Sequence, residues 1–512
     1  MTGLETFDQA SLEAFTSGLV AAGFEPVPGS ERKVWKGPIH PAFDGLTEAS
    51  RMRIVLRDGW PFVFPVVFVD GLHTNHLTEH GFVCLWHEGD GSGRWQTVDG
   101  FFGRIAEWCE QAKAGWDVRG LARDAYLNFT KKYPAVATFD LGELHADGAG
   151  SWGSFHGRVP SPFHVELHPG TGGAADLGGL WFHVGGSLEI PPRNLAELRA
   201  GLNAAQRRGL DRALERRRDV DVLEPSGGVD LVMFCWDRGQ ARHLLVLALS
   251  RTGDDAEAKA LTEGPTDEQS LLLRAGPDAV GLRAKSVSLF GLGALGGHTA
   301  VCLASSGVGR LRLVDLDQIL PGNVVRHVVG HNAVGLPKAH AVQARVREHA
   351  PWAEVEPVLD QPRTPSRLQE LIDDVDLVVD ATGSGVATGS LAAVAAAARK
   401  PLVSGGLFRG GAIARVQRQG TPGDVVLLDR PGDQHHRLIP PGSEEEELVE
   451  PAIGCSAPVN NAPPSSVLAC AALIAQSAVD VLSGRCALPD EVTDVYRTLD
   501  GEPPFDQLGR VR

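Results

Sequence analysis

The 512-residue sequence has few cysteines, few lysines and no excess of positive charge. Its seven cysteines include no C-x-x-C pair, which argues against a structural zinc site and against a disulfide framework. The 48 Lys and Arg residues are outnumbered by 64 Asp and Glu residues, giving a net charge of −16. Because nucleic-acid binding needs a basic footprint, we expect no nucleic-acid partner. Any functional cysteine should act alone.

The sequence also lacks the marks of secretion and membrane insertion. The first residues, MTGLETFDQASLEAF, have no basic start followed by an apolar stretch, so no signal peptide is predicted. The apolar segment SVLACAALIAQSAVDVLSG is short and contains Gln476 and Asp480, which predicts a buried helix and no membrane span. The composition, 43% hydrophobic and 22% charged, is that of a soluble globular protein, and we expect it in the cytoplasm.

Three blocks, at residues 1–134, 135–280 and 281–512, differ in their pattern of strands and helices. The first opens with an amphipathic helix, FDQASLEAFTSGLVAAG, followed by short strands. The second mixes strands with one predicted helix near Asn194–Arg218, which indicates an α+β linker domain. The third alternates strands and helices, which predicts an α/β fold with a mainly parallel sheet.

A glycine-rich loop opens the third block. Gly291, Gly293 and Gly296 form G-x-G-x-x-G between the predicted strand SVSLF and a helix. The glycines permit a tight turn and let phosphate approach the backbone, while the helix N-terminus supplies amide donors. Asp315 ends the next predicted strand, where it can meet a ribose hydroxyl. These features fit NAD, FAD and ATP alike.

The residues after Asp315 favour ATP. Asp317 lies two positions further on, Asn323 and Arg326 follow on a loop, and Lys338 begins the next predicted helix. An enzyme that cleaves ATP uses a carboxylate to hold Mg²⁺ and uses Arg and Lys to neutralise phosphate charge. A lysine here is informative because the chain has only nine. A nicotinamide- or flavin-dependent oxidoreductase, the alternative, has no need of this cluster.

The spacing D-x-D, N-x-x-R and P-K, within residues 285–484, resembles the adenylation domain of ThiF-like and ubiquitin-activating enzymes. The resemblance implies a Rossmann-like domain that binds ATP and Mg²⁺ and forms a homodimer. It also implies that Asp315 meets the ribose and that Asn323, Arg326 and Lys338 contact the triphosphate.

The metal-binding segment departs from that family. DLVVDATGSGVAT resembles the family's D-x-V-x-D-x-x-D-N, whose last aspartate is linked to Mg²⁺, but this chain has Gly383 at that place. We expect Asp317 or Asp380 to hold Mg²⁺ instead, or the site to rely on its Arg and Lys. The glycine also keeps open a non-catalytic scaffold that binds ATP and a partner.

Cys455 lies at the end of a polar, Pro- and Gly-containing loop, in IGCSAP, ahead of a predicted helix. A helix N-terminus can lower the pKa of a thiol and populate the thiolate. In the activating enzymes that this chain resembles, a cysteine takes the acyl group from the adenylate, and Cys455 is the best match. The alternative is a structural thiol.

The first block carries a second set of spaced residues: Trp60, Pro61, Phe62, Pro65, His73, Asn75, Cys84 and Trp95. Their order over residues 4–116 resembles the ubiquitin-conjugating fold, with its Y-P-F-x-P-P, H-P-N and G-x-I-C-L segments, although Thr74 replaces the proline. The resemblance implies that Cys84 carries a thioester and that Asn75 donates to the oxyanion formed during amine attack. The alternative is a buried structural thiol.

The two resemblances together imply a bacterial fused activating–conjugating enzyme, as in CBASS antiphage operons. The implied partner is a protein with a free C-terminal tail, either a cGAS-like nucleotidyltransferase or a ubiquitin-like protein. The implied order is adenylation, transfer to Cys455, transfer to Cys84, and ligation to a target amine. Fusion raises the effective concentration of one thiol for the other.

Overall fold

The chain, seen in a computed structural model, divides into two compact units, Met1–Asp267 and Glu268–Arg512. The predicted three-domain division stays a prediction. The structure describes residues 4–72, 74–77, 82–87, 89–116, 125–126, 129–144, 148–185, 188, 192–238, 241–251, 256–430, 448–449 and 459–511.

The first part of the first unit is an antiparallel sheet that shares one core with two helices. Its elements, in chain order, are α1 (Gln9–Ala21), β1 (Glu25–Pro26), β2 (Val34–Pro38), β3 (Arg51–Val55), β4 (Val66–Val69), β5 (Phe82–Val83) and α2 (Val98–Ala114). The strands pair in that order. Alternation along β3 buries Met52 and Ile54, which join Phe15 of α1 and Phe101 of α2 in one core. The chain leaves β5 directly at Cys84.

The second part of the first unit is a closed barrel of seven strands. The strands are β6 (Lys132–Phe139), β7 (Trp152–Ser161), β8 (His164–Pro169), β9 (Leu177–His183), β10 (Leu231–Arg238), β11 (Ala241–Ser250) and β12 (Glu257–Pro265). They pair in the order β10-β11-β12-β6-β8-β7-β9. The first and last barrel strands in the chain, β6 and β12, pair in parallel, with Ala260 opposite Lys132.

The single helix predicted near Asn194–Arg218 is wrong. The structure has two helices, α3 (Leu195–Gly201) and α4 (Ala204–Leu214). Asn203 separates them, because its side chain accepts from the backbone N–H groups of Ala205 and Gln206, both at 2.9 Å. The Gln206 side chain accepts in return from the Asn203 N–H at 3.0 Å, which completes a capping box.

The second unit confirms the predicted α/β fold with a mainly parallel sheet. Eight strands pair in the order β15-β14-β13-β16-β17-β18-β21-β22; the first five are parallel and the last three antiparallel. The elements are α5 (Glu268–Leu272), α6 (Ala279–Leu282), β13 (Ser286–Phe290), α7 (Ala294–Ser305), β14 (Arg310–Val314), α8 (Lys338–His349), β15 (Glu354–Val358), α9 (Pro365–Ile372), β16 (Leu377–Asp380), α10 (Gly385–Ala397), β17 (Leu402–Phe408), β18 (Ile413–Gln419), β19 (Leu448–Val449), β20 (Val459–Asn460), α11 (Pro464–Leu482), β21 (Glu491–Val495) and β22 (Gly509–Arg510).

The helix α11 is long and apolar enough to cross a membrane, but most of it is buried within the second unit. Its residues Val467, Cys470 and Ile474 belong to the core that also contains Leu289 of β13. A Cβ added to Gly405 of β17 would lie 2.3 Å from Ile474, so the helix approaches the sheet closely there. The predicted buried helix is therefore observed.

Candidate adenylation site and conjugating thiol

The glycine loop follows β13 at the carboxyl edge of the parallel strands, where α/β sheets bind their ligands. Gly291 has φ +83°, and a Cβ there would lie 2.7 Å from the Thr382 nitrogen in the loop after β16. A Cβ on Gly296 would lie 1.8 Å from the Gly291 carbonyl oxygen. A Cβ on Gly293, at the start of α7, would meet no atom of the described residues within 4 Å. Two glycines therefore allow close packing, and the third leaves open space at a helix N-terminus.

Leu292, inside this loop, is held through both of its backbone groups. Its N–H donates to Oδ2 of Asp315 at 2.7 Å, and its carbonyl accepts from Nε2 of His327 at 2.8 Å. Nδ1 of His327 accepts from the Val329 N–H at 3.3 Å. Both contacts are satisfied together by a neutral imidazole with its proton on Nε2. The structure therefore joins the loop to the predicted ribose carboxylate and to a buried histidine.

Burial lowers the pKa of His327, whereas its hydrogen bond to the Leu292 carbonyl raises it; nearby Lys338 and His298 lower it and Asp315 raises it, and the net direction is down. The lowered pKa favours the neutral form, which the hydrogen bond from the Val329 N–H to Nδ1 requires. The sequence did not predict this role; its only signal was a histidine directly after Arg326.

Asp315, Asp317 and Lys338 form a continuous chain of contacts that begins at the glycine loop. Oδ1 of Asp315 accepts from the Asp317 N–H at 2.8 Å. Oδ2 of Asp317 lies 2.7 Å from Nζ of Lys338, and the Lys338 N–H donates to the Asp317 carbonyl at 2.8 Å. The Lys338 side chain is 13% exposed and that of Asp317 is 72% exposed. Asp317 thus orients the lysine at the start of α8.

Asn323 and Arg326 lie on the loop between β14 and α8. Asn323 ends a short 3₁₀ turn, and its Oδ1 accepts from the Leu320 N–H at 2.9 Å. The Arg326 N–H donates to the Asn323 carbonyl at 3.1 Å. Burial lowers the pKa of Arg326, but an arginine stays charged at neutral pH. The ring of His298, on α7, hydrogen-bonds the Arg326 backbone, so this loop packs beside the glycine loop's helix.

Asp380, at the end of β16, is buried and accepts hydrogen bonds from three side chains and one backbone amide. Oδ1 accepts from the Thr382 N–H at 3.0 Å and from its hydroxyl at 2.7 Å. Oδ2 accepts from the hydroxyls of Thr388 at 2.5 Å and Ser404 at 2.7 Å. Four donors use the usual acceptor capacity of a carboxylate. Asp380 therefore fixes the loop that packs against Gly291.

These contacts do not fit a Mg²⁺ ion held by protein carboxylates. Asp380 is saturated by donors, Asp317 is paired with Lys338, and Gly383 has φ +67° with no described atom within 4 Å of an added Cβ. Within the described ranges there is no group of three or more His, Cys, Asp or Glu residues that could hold a metal. The Mg²⁺ roles of Asp317 and Asp380 stay predictions that this geometry does not favour.

Cys84 directly follows β5 in the first unit and is half-buried. Its N–H donates to the His76 carbonyl at 2.9 Å, and Leu77 pairs with Val83 in an isolated bridge. Asn75, on the same loop, is buried with 4% of its surface exposed. A backbone hydrogen bond therefore connects the segment of Asn75, the predicted oxyanion donor, to the segment of Cys84, the predicted nucleophile.

Four further residues of the resembled conjugating fold are Trp95, Pro61, Phe62 and His73, of which the structure describes the first three. Nε1 of Trp95 donates to the Pro61 carbonyl at 2.8 Å, so these two segments pack together. Phe62 is exposed and lies edge-on to exposed Phe7, with ring centroids 5.5 Å apart. His73 lies outside the described residues.

Three of the remaining cysteines are buried. Burial raises the pKa of Cys109 to about 11 and those of Cys235 and Cys470 to about 12. Cys302, on α7, is exposed. Cys455 lies outside the described residues.

Comparison with known proteins decides the nature of the second unit. Residues 270–503 match the ThiF family. This segment is a ThiF-family domain. The molybdopterin-synthase adenylyltransferase of Escherichia coli is 36% identical over 132 residues, covering 25% of this chain and 51% of that protein. The ATP-dependent ubiquitin transferase-like protein Cap2 of Pseudomonas aeruginosa is 31% identical over 121 residues, covering 23% of this chain and 21% of that protein.

A solved structure of E. coli MccB with ATP is also similar, with 16% identity, a TM-score of 0.35, and coverage of 46% of this chain and 64% of that one. The chain spans from 21% to 51% of the lengths of these and other curated relatives.

Within the ThiF domain, the structure brings together most of the residues predicted to bind ATP. Gly291, Gly296 and Asp315 are joined by the packing and hydrogen bonds of the loop, and Asp317 joins Lys338 to them. Sequence reasoning missed His327 and the hydroxyl groups around Asp380. The first depends on a contact across 35 residues, and the second on donors contributed by three separate segments.

Proposed function

We propose that the chain uses ATP to activate the C-terminus of a partner protein and passes the acyl group through two cysteines to an amine. The observation that carries the first step is the chain of contacts from Leu292 through Asp315 and Asp317 to Lys338 in a ThiF domain. It supports a nucleotide loop with a positioned cation beside it. A dehydrogenase would have no use for that lysine.

In the first step, a carboxylate oxygen of the partner's C-terminus attacks the α-phosphorus of ATP, and pyrophosphate leaves. The open space at Gly293 lies at the N-terminus of α7, where amide groups favour an anion. Lys338 and Arg326 neutralise negative charge that moves onto the leaving phosphates. ATP enters as its Mg²⁺ complex, and no step is assigned to a metal held by this chain.

In the second step, the Cys455 thiolate attacks the acyl carbonyl of the adenylate, and AMP leaves. The Cys84 thiolate then attacks that thioester, and the Cys455 thiolate leaves. Finally a target amine attacks the thioester on Cys84; the thiolate leaves, and the amine loses a proton. Asn75 donates to the oxyanion of this last step. The half-buried position of Cys84 and its backbone link to the Asn75 loop support the assignment.

We propose that the partner is a cGAS-like nucleotidyltransferase or a ubiquitin-like protein and that the reaction serves antiphage defence in the cytoplasm. The similarity to Cap2, whose name describes an ATP-dependent ubiquitin transferase-like protein, supports this class of partner. We also propose a homodimer; a monomeric mass in solution at micromolar concentration would contradict it.

The proposal is tested by ATP–pyrophosphate exchange with purified products of the neighbouring genes, one at a time. We expect exchange with one partner, and no exchange when that partner lacks its last residue. Non-reducing gels should then show partner adducts on the enzyme that a thiol reductant removes. Cys302→Ala is the matched control, because Cys302 is an exposed thiol with no role in the proposal. Exchange without any adduct would limit the function to adenylation.

A second candidate is a scaffold that binds ATP and a partner without transfer. The saturated carboxylate of Asp380 and the glycine at 383 favour it, since neither offers a ligand to a metal. Tight ATP binding together with an absence of pyrophosphate exchange for every partner tested would support the scaffold. The nicotinamide or flavin oxidoreductase would instead show cofactor absorbance after purification.

A further inference from the structure

Thr74 is the residue at which the first block departs from the resembled H-P-N segment, and the structure shows a contact that a proline could not make. Oγ1 of Thr74 accepts a hydrogen bond from Nε1 of Trp116 at 3.0 Å. A proline side chain has no acceptor for this indole. Having threonine at position 74 therefore connects the Thr74–His76 loop, by a side-chain hydrogen bond, to Trp116, which lies just after α2.

Trp116 also packs against the residue on the other side of Asn75. Its ring centroid lies 4.1 Å from that of His76, with the planes inclined at 52°. His76 has φ +55°, which is uncommon for a residue other than glycine and persists where the surroundings hold it. Trp116 itself stands edge-on to fully buried Trp108 of α2, with centroids 5.4 Å apart. One indole thus contacts both sequence neighbours of Asn75 from a fixed base.

The segment of Cys84 is connected to the same support. The Cys84 N–H donates to the His76 carbonyl, and Nε of Arg104, on α2, donates to the carbonyl of Leu85 at 2.7 Å. Helix α2 and Trp116 therefore hold the chain directly after Cys84 and the two residues that flank Asn75. Moving Thr74 and His76 would displace Asn75 relative to the thiol.

We propose that Trp116 is a positioning residue, which sets Asn75 for the attack of an amine on the Cys84 thioester through its contacts with Thr74 and His76. The inference rests on the proposed function of Cys84. It assigns the hydroxyl of Thr74 the loop-fixing role that a proline would otherwise have. Charging of Cys84 needs only an accessible thiol, so the contact should affect the discharge of the thioester and leave charging intact.

The test measures single-turnover discharge of the Cys84 thioester to free lysine. Thr74→Val removes the acceptor at nearly constant shape, and Trp116→Phe removes the donor but keeps a ring. Each should slow discharge about fivefold, the loss for one neutral hydrogen bond, with the lysine concentration for half-maximal rate unchanged. Thr74→Ser should restore the wild-type rate. Asn75→Ala, which removes the donor itself, should slow discharge about a hundredfold and sets the scale.

The double variant separates positioning from a general loss of packing. Because Thr74→Val and Trp116→Phe remove the same hydrogen bond, the double variant should discharge no more slowly than Trp116→Phe alone. Discharge at the wild-type rate in Thr74→Val, multiplying losses in the double variant, or loss of charging together with discharge would each overturn the inference. The proposed function fails by a different result, namely normal ligation by Cys84→Ala.

Discussion

Nε2 of His327 donates to the carbonyl of Leu292 at 2.8 Å, so a buried imidazole holds the centre of the G-x-G-x-x-G loop. Lys338 and His298 lower the pKa of this ring electrostatically, and Asp315 raises it. Nδ1 of the same ring accepts from Val329, so protonation removes an acceptor inside the ThiF domain.

The first prediction concerns pH. Because burial places the folded pKa of His327 below its ordinary value of about 6.5, its stabilising contribution is complete above pH 6.5 and is lost as pH falls through the folded pKa. We expect the ATP affinity of the wild type to decline, relative to His327→Gln, as the pH falls below 6.5, because the amide of Gln keeps a donor and an acceptor without titrating.

Isothermal calorimetry with ATP measures the pH dependence of ATP affinity for the wild type and for His327→Gln. The ratio of the two affinities cancels the effect of protonation of ATP itself. His327→Ala should bind ATP about fivefold more weakly at pH 8, since one hydrogen bond to the loop is missing. An equal pH dependence in the wild type and in His327→Gln would exclude the histidine as the titrating group.

The second prediction concerns the cations. Lys338→Ala and Arg326→Ala should each lower pyrophosphate exchange by about a hundredfold, because each removes positive charge from the leaving phosphates. Asp317→Asn should cost less than tenfold, since it only loosens the lysine. Arg345→Ala is the control on the same helix, where Arg345 pairs with Glu348 at the surface. Exchange within twofold of wild type in both cation variants would remove the assignment.

The third prediction separates the structural role of Asp380 from a role in metal binding. Asp380→Ala leaves four hydrogen-bond donors without their acceptor, so the free energy of unfolding without ATP and metal should fall by about 3 kcal/mol. Asp373→Ala, at an exposed position after α9, is the control. Thermal unfolding of the metal-free proteins measures the effect. An unchanged melting temperature, combined with a lost Mg²⁺ dependence of ATP binding, would instead identify Asp380 as a ligand.

The fourth prediction concerns Cys455, which lies outside the described residues. Cys455→Ala should leave pyrophosphate exchange intact, because the nucleotide loop is untouched, and should stop all thioester formation on the chain. Non-reducing gels and intact mass spectrometry give the readout. A Cys455→Ala protein that still charges Cys84 would mean direct transfer from the adenylate to Cys84.

The fifth prediction concerns Cys84. Cys84→Ser should accumulate an oxyester with the partner, because an amine attacks an oxyester far more slowly than a thioester. The adduct should resist thiol reductants and be cleaved by mild hydroxide. Cys84→Ala should keep charging at Cys455 and lose ligation to lysine. Normal ligation by Cys84→Ala would reduce the first block to a binding module.

Features encoded by neighbouring residues were predictable from the sequence. The alternation of strands and helices indicated the parallel sheet, and Lys338 was expected at the start of a helix, where α8 begins. The break between α3 and α4 is also encoded locally, by Asn203 and Gln206, although one helix was predicted across it.

Features that depend on distant pairing were not predictable. The barrel closes through β6 and β12, which are separated in the chain by residues 140–256, so their pairing cannot be predicted from either segment alone. The role of Asp380 has the same origin. Its motif indicates a metal site, whereas Thr388 and Ser404, which occupy its carboxylate, come from two later elements.

The raised pKa values of Cys109, Cys235 and Cys470 have a practical consequence for mapping the acyl acceptor. At pH 7.5 these three thiols are almost wholly protonated and enclosed, so an alkylating reagent applied to the native protein should modify them slowly. Pulse alkylation before and after addition of ATP and partner would then have a low background, and a peptide that loses its label on charging would identify the acylated thiol without any mutation.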